Sequence, residues 1–229
     1  MPSNNSPQSG ANNPAIQRRY QPANIRRFFV TLTSTLFALT GIANAQERLP
    51  TIPPAQYTQA QQQAAADFLA ARKYPVQGPF EPMMYSPDVM TRARAMGDYL
   101  RYKSAIGNTL SEVTILITAR DWGQDYEWSV HAPIAAKAGI KPEVIAAIRD
   151  GRRPDGMSSD EAIIYDFATE LLHNKRVSDP TFAAAAARFG KPAVVDLVSI
   201  VGYYTFNAMV LNTARYPTKD GTALPHFPD

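Results

Sequence analysis

The chain of 229 residues contains no cysteine. It therefore makes no disulfide, forms no thiolate nucleophile and offers no thiolate ligand to a metal. Histidine is almost as scarce, with three residues at His131, His173 and His226. So few and so dispersed, with no thiolate beside them, they give no transition-metal site, and no metal or other cofactor is expected. Glycine-rich phosphate loops and nucleophilic serine motifs are absent as well. Acidic residues are missing from positions 1–45, which carry Arg18, Arg19, Arg26 and Arg27. Removing those four from the 23 basic residues leaves 19 against 20 acidic ones, so the formal charge of +3 belongs to the leader. Nucleic-acid binding is not indicated.

The leader has its own logic. Positions 1–24 are rich in Pro, Asn, Ser and Gln, a composition that cannot bury a core. Arg26 and Arg27 then precede an uncharged stretch from Phe28 to Ala43, and Ala43-Asn44-Ala45 supplies small residues where a signal peptidase reads. This predicts an exported protein, periplasmic or secreted, cleaved after Ala45, with an uncleaved anchor as the alternative. The stretch is short against the ~20 residues of a spanning helix. The arginine pair also resembles a twin-arginine signal.

Positions 46–57 are polar and Pro-containing and read as a linker. From Thr58 the helical signals repeat, and they predict one all-α domain over 58–217 followed by a polar tail, 218–229. Thr58 caps a helix running through Lys73, with Ala64, Phe68 and Leu69 at helical spacing. Ser86-Pro87 opens the next, which runs to about Ile106, and Leu110 to Arg120 forms another. Asp121-Trp122-Gly123 breaks that one before a helix from about Gln124 to Ala138, which Gly139 ends. Helices starting at Lys141-Pro142, Ser159-Asp160-Glu161, Asp179-Pro180 and Pro192 follow. Val113-Thr114-Ile115 could pass locally for a strand, but no partner strand or hairpin signal accompanies it.

On a helix, Gln124, Glu127, Trp128 and His131 share one sector, and Glu127 and His131 are an i, i+4 pair. A carboxylate so placed can accept an imidazole N–H, fix the tautomer and make the ring a proton donor or acceptor near neutral pH. The competing reading is a surface pair worth a few tenths of a kcal/mol to the helix. Glu112 precedes His131 by nineteen positions, ~28 Å along one straight helix. Only if Asp121-Trp122-Gly123 turns the chain into a hairpin can Glu112 come back toward His131.

The order Leu110-Ser111-Glu112, then Tyr126-Glu127-Trp128-Ser129-Val130-His131, then Ala138-Gly139-Ile140 and a Pro-Glu helix start resembles the carboxymuconolactone decarboxylase family. Gly202-Tyr203-Tyr204 and Leu211-Asn212 are similar to that family's closing helix. The resemblance covers roughly Tyr85 to Pro217 and implies a helical bundle of the alkyl hydroperoxidase D-like type. In the branch with a thiol relay, Gln124 and Glu127 of this chain stand where the cysteines belong, so thiol peroxidase chemistry is excluded. The resemblance to the decarboxylase branch implies a cofactor-independent lyase acting on a small carboxylated lactone or related organic acid. His131 is then the general acid, Glu127 orients and polarises it, and Glu112 relays a proton or holds the substrate. Gln124, Trp128, Tyr204 and Asn212 are the expected substrate-binding residues, with Trp122 and Tyr203 as further walls. Family members of this kind assemble as trimers or hexamers, so a homo-oligomer is expected. The alternative from a different class is an exported, non-catalytic binding or structural oligomer with the same fold.

Overall fold

The computed structural model describes residues 47–218 and 224. The leader, its signal and the cleavage point after Ala45 lie outside the described residues, as does His226. Among the described residues the regular elements are α-helices, with one short 3₁₀ turn at Pro54–Gln56. The helices are α1 (Gln59–Arg72), α2 (Phe80–Met83), α3 (Pro87–Tyr102), α4 (Gly107–Asp121), α5 (Asp125–Lys137), α6 (Pro142–Arg149), α7 (Ser159–Asn174), α8 (Asp179–Phe189) and α9 (Lys191–Ala214).

Local chemistry sets most of these boundaries. Thr58 accepts from the Gln61 N–H while the Gln61 side chain returns to the Thr58 N–H, a reciprocal capping box that opens α1. Lys73 closes the same helix in the left-handed conformation. α7 opens on an equivalent box, although the cap is Ser158, one position before the expected Ser159. α3 ends at Tyr102, short of Ile106, because the chain must turn before α4. The prolines between Pro75 and Pro82 do not exclude helix altogether. One turn, α2, forms there and buries Phe80 and Met83.

α4 is the centre of the domain. Residues Ser111 to Arg120 are all buried, enclosed by α5, α7 and α9. Thr114 and Thr118 survive there because each hydroxyl donates to the carbonyl four residues back. The β-branched run thus stays helical, with packing on every side outweighing its modest propensity cost. Phe68, Phe167, Leu197, Ile200 and Leu211 complete the core with almost no exposure. α9 crosses α3 closely at Gly97, where any Cβ would collide with the Tyr203 hydroxyl. That close approach brings Tyr203 and its neighbours on α9 toward α5.

The segment read as a linker is fastened to the body. The Arg48 N–H donates to the Ala214 carbonyl at 2.8 Å, and the Tyr85 hydroxyl donates to the Pro50 carbonyl at 2.9 Å. In the tail, Leu224 is buried and its N–H donates to Asp125 Oδ1 at 2.5 Å.

Candidate active site

α4 and α5 form the hairpin that the site requires. Trp122 to Gln124 turn the chain, and Gly123 takes the left-handed backbone (φ 56°) that a glycine adopts without cost. Gln124 is not part of the helical face, contrary to the sequence reading. It is the N-cap of α5 in extended conformation, its side-chain oxygen accepting from the Tyr126 and Glu127 N–H groups. Its amide then donates to Asn212 Oδ1 at 2.7 Å, and the Asn212 amide donates to the Trp122 carbonyl. Gln124 and Asn212 thus lock the hairpin turn to α9, and neither lines the cleft beside His131.

Across the hairpin, Glu112 reaches back to His131. The ring Nδ1–H donates to Glu112 Oε2 at 2.7 Å. A carboxylate can only accept, so this contact fixes the tautomer and leaves Nε2 facing the opposite way. On that side Glu127 Oε2 stands 3.5 Å from Nε2, an ion-pair distance longer than a hydrogen bond. The orienting role expected of Glu127 therefore belongs to Glu112. All three side chains are buried: His131 is 2 %, Glu127 3 % and Glu112 6 % exposed. A solvated surface pair is ruled out by those figures. Tyr204, expected to bind substrate, packs edge-on to the imidazole with ring centroids 5.1 Å apart and does not itself border the cleft. Trp128 lies in the hydrophobic core, and Trp122 donates its indole N–H to Thr205. Neither borders the cleft.

The cleft beside His131 is small, about 100 Å³, and is bordered by Arg72, Arg101, Glu127, Tyr203 and Asn207 among others. Arg101 on α3 and Asn207 on α9 were not singled out by spacing. Three buried side-chain atoms on this one cleft have no hydrogen-bond partner: Arg101 Nε, Glu127 Oε1 and Asn207 Oδ1. Buried polar atoms are nearly always satisfied, so three orphans on one wall mark a place where a ligand's polar groups fit. The only local sequence sign was an arginine at the end of an otherwise amphipathic helix, which is also the ordinary place for a dipole-stabilising cation.

Burial pushes the Glu127 carboxyl above the usual carboxylate range, and the nearby Glu112 charge adds to this. His131, Arg101 and the Asn207 side chain oppose the rise without cancelling it. Burial likewise drives Tyr203 up to about 12 and Tyr204 well above the ordinary phenol value, so both remain neutral donors. The Glu127 shift has a consequence for stability. The folded protein holds a proton that the unfolded chain has released, so this group's contribution is complete at acidic pH and is lost as pH rises through the raised value. Glu127→Gln removes that loss while keeping the volume. We expect the variant to melt higher than wild type at pH 8 and not at pH 4, with about 2–4 °C for each kcal/mol recovered at this length. Equal differences at both pH values in thermal melts would show that Glu127 carries no such linkage.

Other charged groups away from the cleft form ordinary surface pairs. His173 sits 3.1 Å from Asp121, Arg149 and Arg152 bracket Asp150, and Arg153 pairs with Asp166.

Neither a protein-family model nor a curated protein matches the sequence. Solved structures do. The core of alkylhydroperoxidase AhpD in an uncharacterised peroxidase-related protein from Ralstonia eutropha JMP134 superposes with a TM-score of 0.62 over 76 % of this chain and 93 % of that one, at 18 % identity. The fold is that of AhpD. A debrominase in complex with 2,3,4-tribromopyrrole matches at 0.61 over 77 % and 94 %, with 12 % identity. A peroxidase-related protein from Silicibacter sp. TM1040 matches at 0.58 over 73 % and 88 %, also with 12 % identity. The AhpD-like fold thus carries more than one chemistry, and on this chain it carries a cleft without any thiol.

Proposed function

We propose that this protein is a cofactor-independent acid–base enzyme, a carboxy-lyase acting on a small carboxylated lactone or related organic acid. The observation that carries this reading is the buried 2.7 Å bond between Glu112 and His131, which leaves Nε2 aimed past Glu127 at a cleft containing Arg101. In the reaction the bond from the ring carbon to the carboxylate breaks and CO₂ leaves. Its electron pair enters the conjugated lactone carbonyl. The protonated imidazole then delivers the Nε2 proton to carbon and recovers one from water. Glu112 stabilises the charged imidazole, and a protonated Glu127 donates toward the developing oxyanion.

The test is CO₂ release by purified protein across a panel of five-membered lactones carrying a carboxylate. Binding without turnover across that panel would favour the non-catalytic alternative. We also propose a homo-oligomer. Met96 and Tyr99 on α3 and Val195, Val198 and Met209 on α9 are large, apolar and exposed, and Gly202 between them has nothing within 4 Å of a built Cβ. Sedimentation is expected to give a trimer or a hexamer at micromolar concentration, and a monomer throughout would count against association.

A further inference from the structure

Within the acid–base reading, on which this rests, the cleft also has a charge inventory. Its cations are Arg72, Arg101 and, when protonated, His131. Arg72 is already matched: its Nε donates to Asp98 Oδ1 at 2.8 Å, and its Nη1 donates to the Tyr74 hydroxyl at 3.2 Å. Its guanidinium also lies 4.7 Å from the centre of the Phe80 ring, which fixes it against the wall. His131 is matched by Glu112 on one side and flanked by Glu127 on the other. Arg101 differs. Among the described residues no carboxylate forms an ion pair with it, and its Nε is buried without a hydrogen-bond partner. A guanidinium keeps its charge under all ordinary conditions. The cleft therefore presents one positive charge that no carboxylate contacts directly, Glu112 and Glu127 acting on it only through space. Beside it stand the unpartnered Glu127 Oε1, which as a carboxylic acid donates and as a carboxylate repels, and the unpartnered Asn207 Oδ1, which accepts from a donor on the ligand.

Size points the same way. At about 100 Å³ the cleft is small against the ~300–1,000 Å³ of ordinary ligand pockets, so it suits a compact ligand. A second carboxylate would need both more room and a second free cation, and Glu112 and Glu127 would oppose it. We infer that the cleft is built for a compact monocarboxylate anchored on Arg101, and not for a dicarboxylate. The carboxylate lies against Arg101, and the carbon to be protonated lies toward His131 Nε2.

Isothermal titration calorimetry tests this without requiring turnover. The probes are 5-oxotetrahydrofuran-2-carboxylate, its methyl ester, and a lactone of the same ring bearing a second carboxylate. Wild type is expected to bind the monocarboxylate, with the ester weaker by roughly 10- to 100-fold, the worth of a charge-assisted pair. Arg101→Met should weaken the monocarboxylate to the same degree and leave the ester unchanged. Arg101→Lys keeps the charge and should restore part of the affinity, which separates anchoring from a folding defect. The dicarboxylate should bind no tighter than the monocarboxylate. The inference is overturned if folded Arg101→Met binds the monocarboxylate as wild type does, or if the dicarboxylate binds about tenfold tighter. The two ideas fail separately. Arg101-dependent binding with no CO₂ release from any lactone sinks the lyase reading and keeps the anchor. Turnover that depends on His131 but not on Arg101 does the reverse.

Discussion

Replacing His131 with alanine is expected to lower CO₂ release at least ~100-fold, since a positioned acid–base group contributes about that much or more. The reason lies in the direction of Nε2. Glu112 holds Nδ1 at 2.7 Å, so the opposite nitrogen is the one left to exchange a proton with a ligand in the cleft. Water admitted in its place would be neither oriented by Glu112 nor charged. The loss should fall on kcat, because substrate is held elsewhere, and KM should move little. A variant that stays folded and turns over at the wild-type rate would remove His131 from the chemistry.

Glu112 carries the second large effect. Glu112→Ala takes away the acceptor of a buried imidazole that is 2 % exposed, and breaking a buried pair from one side costs about 3–5 kcal/mol. For a protein of this size the melting temperature should drop on the order of 10 °C. Glu112→Gln separates stability from catalysis. The amide oxygen can still accept from Nδ1–H, so the ring keeps its orientation and most of the melting temperature returns. The negative charge that favours the protonated imidazole is gone, so turnover should remain roughly 10- to 100-fold down, the worth of a hydrogen bond to a charged group. Full recovery of turnover in Glu112→Gln would mean that Glu112 acts by orientation alone. An unaltered melting temperature in Glu112→Ala would mean that the contact contributes nothing to the fold.

The three unpartnered atoms around the cleft also bear on stability. A core without Arg101 Nε, Glu127 Oε1 and Asn207 Oδ1 left unsatisfied would be more stable. Proteins commonly keep such costs where a site needs them. A monocarboxylate seated against Arg101 would satisfy the guanidinium, and its binding should raise the melting temperature by ligand linkage.

Much of this protein was written locally. The absence of cysteine removed thiol chemistry before any coordinate was needed. Thr58 with Gln61, and the box at Ser158 with Glu161, mark helix starts through contacts spanning three residues. Glu127 and His131 face one another because a helical turn puts them there. What local spacing could not decide is where chain segments far apart in sequence meet. The approach of Glu112 depended on the α4–α5 hairpin closing. The role of Gln124 changed once its oxygen capped α5 and it left the helical face. Trp128 turned into the core, and Arg101 and Asn207 arrived from α3 and α9, which pack closely at Gly97. Helix periodicity and capping act over one turn, whereas the site is made by side chains from six helices whose meeting is fixed by packing of the whole core.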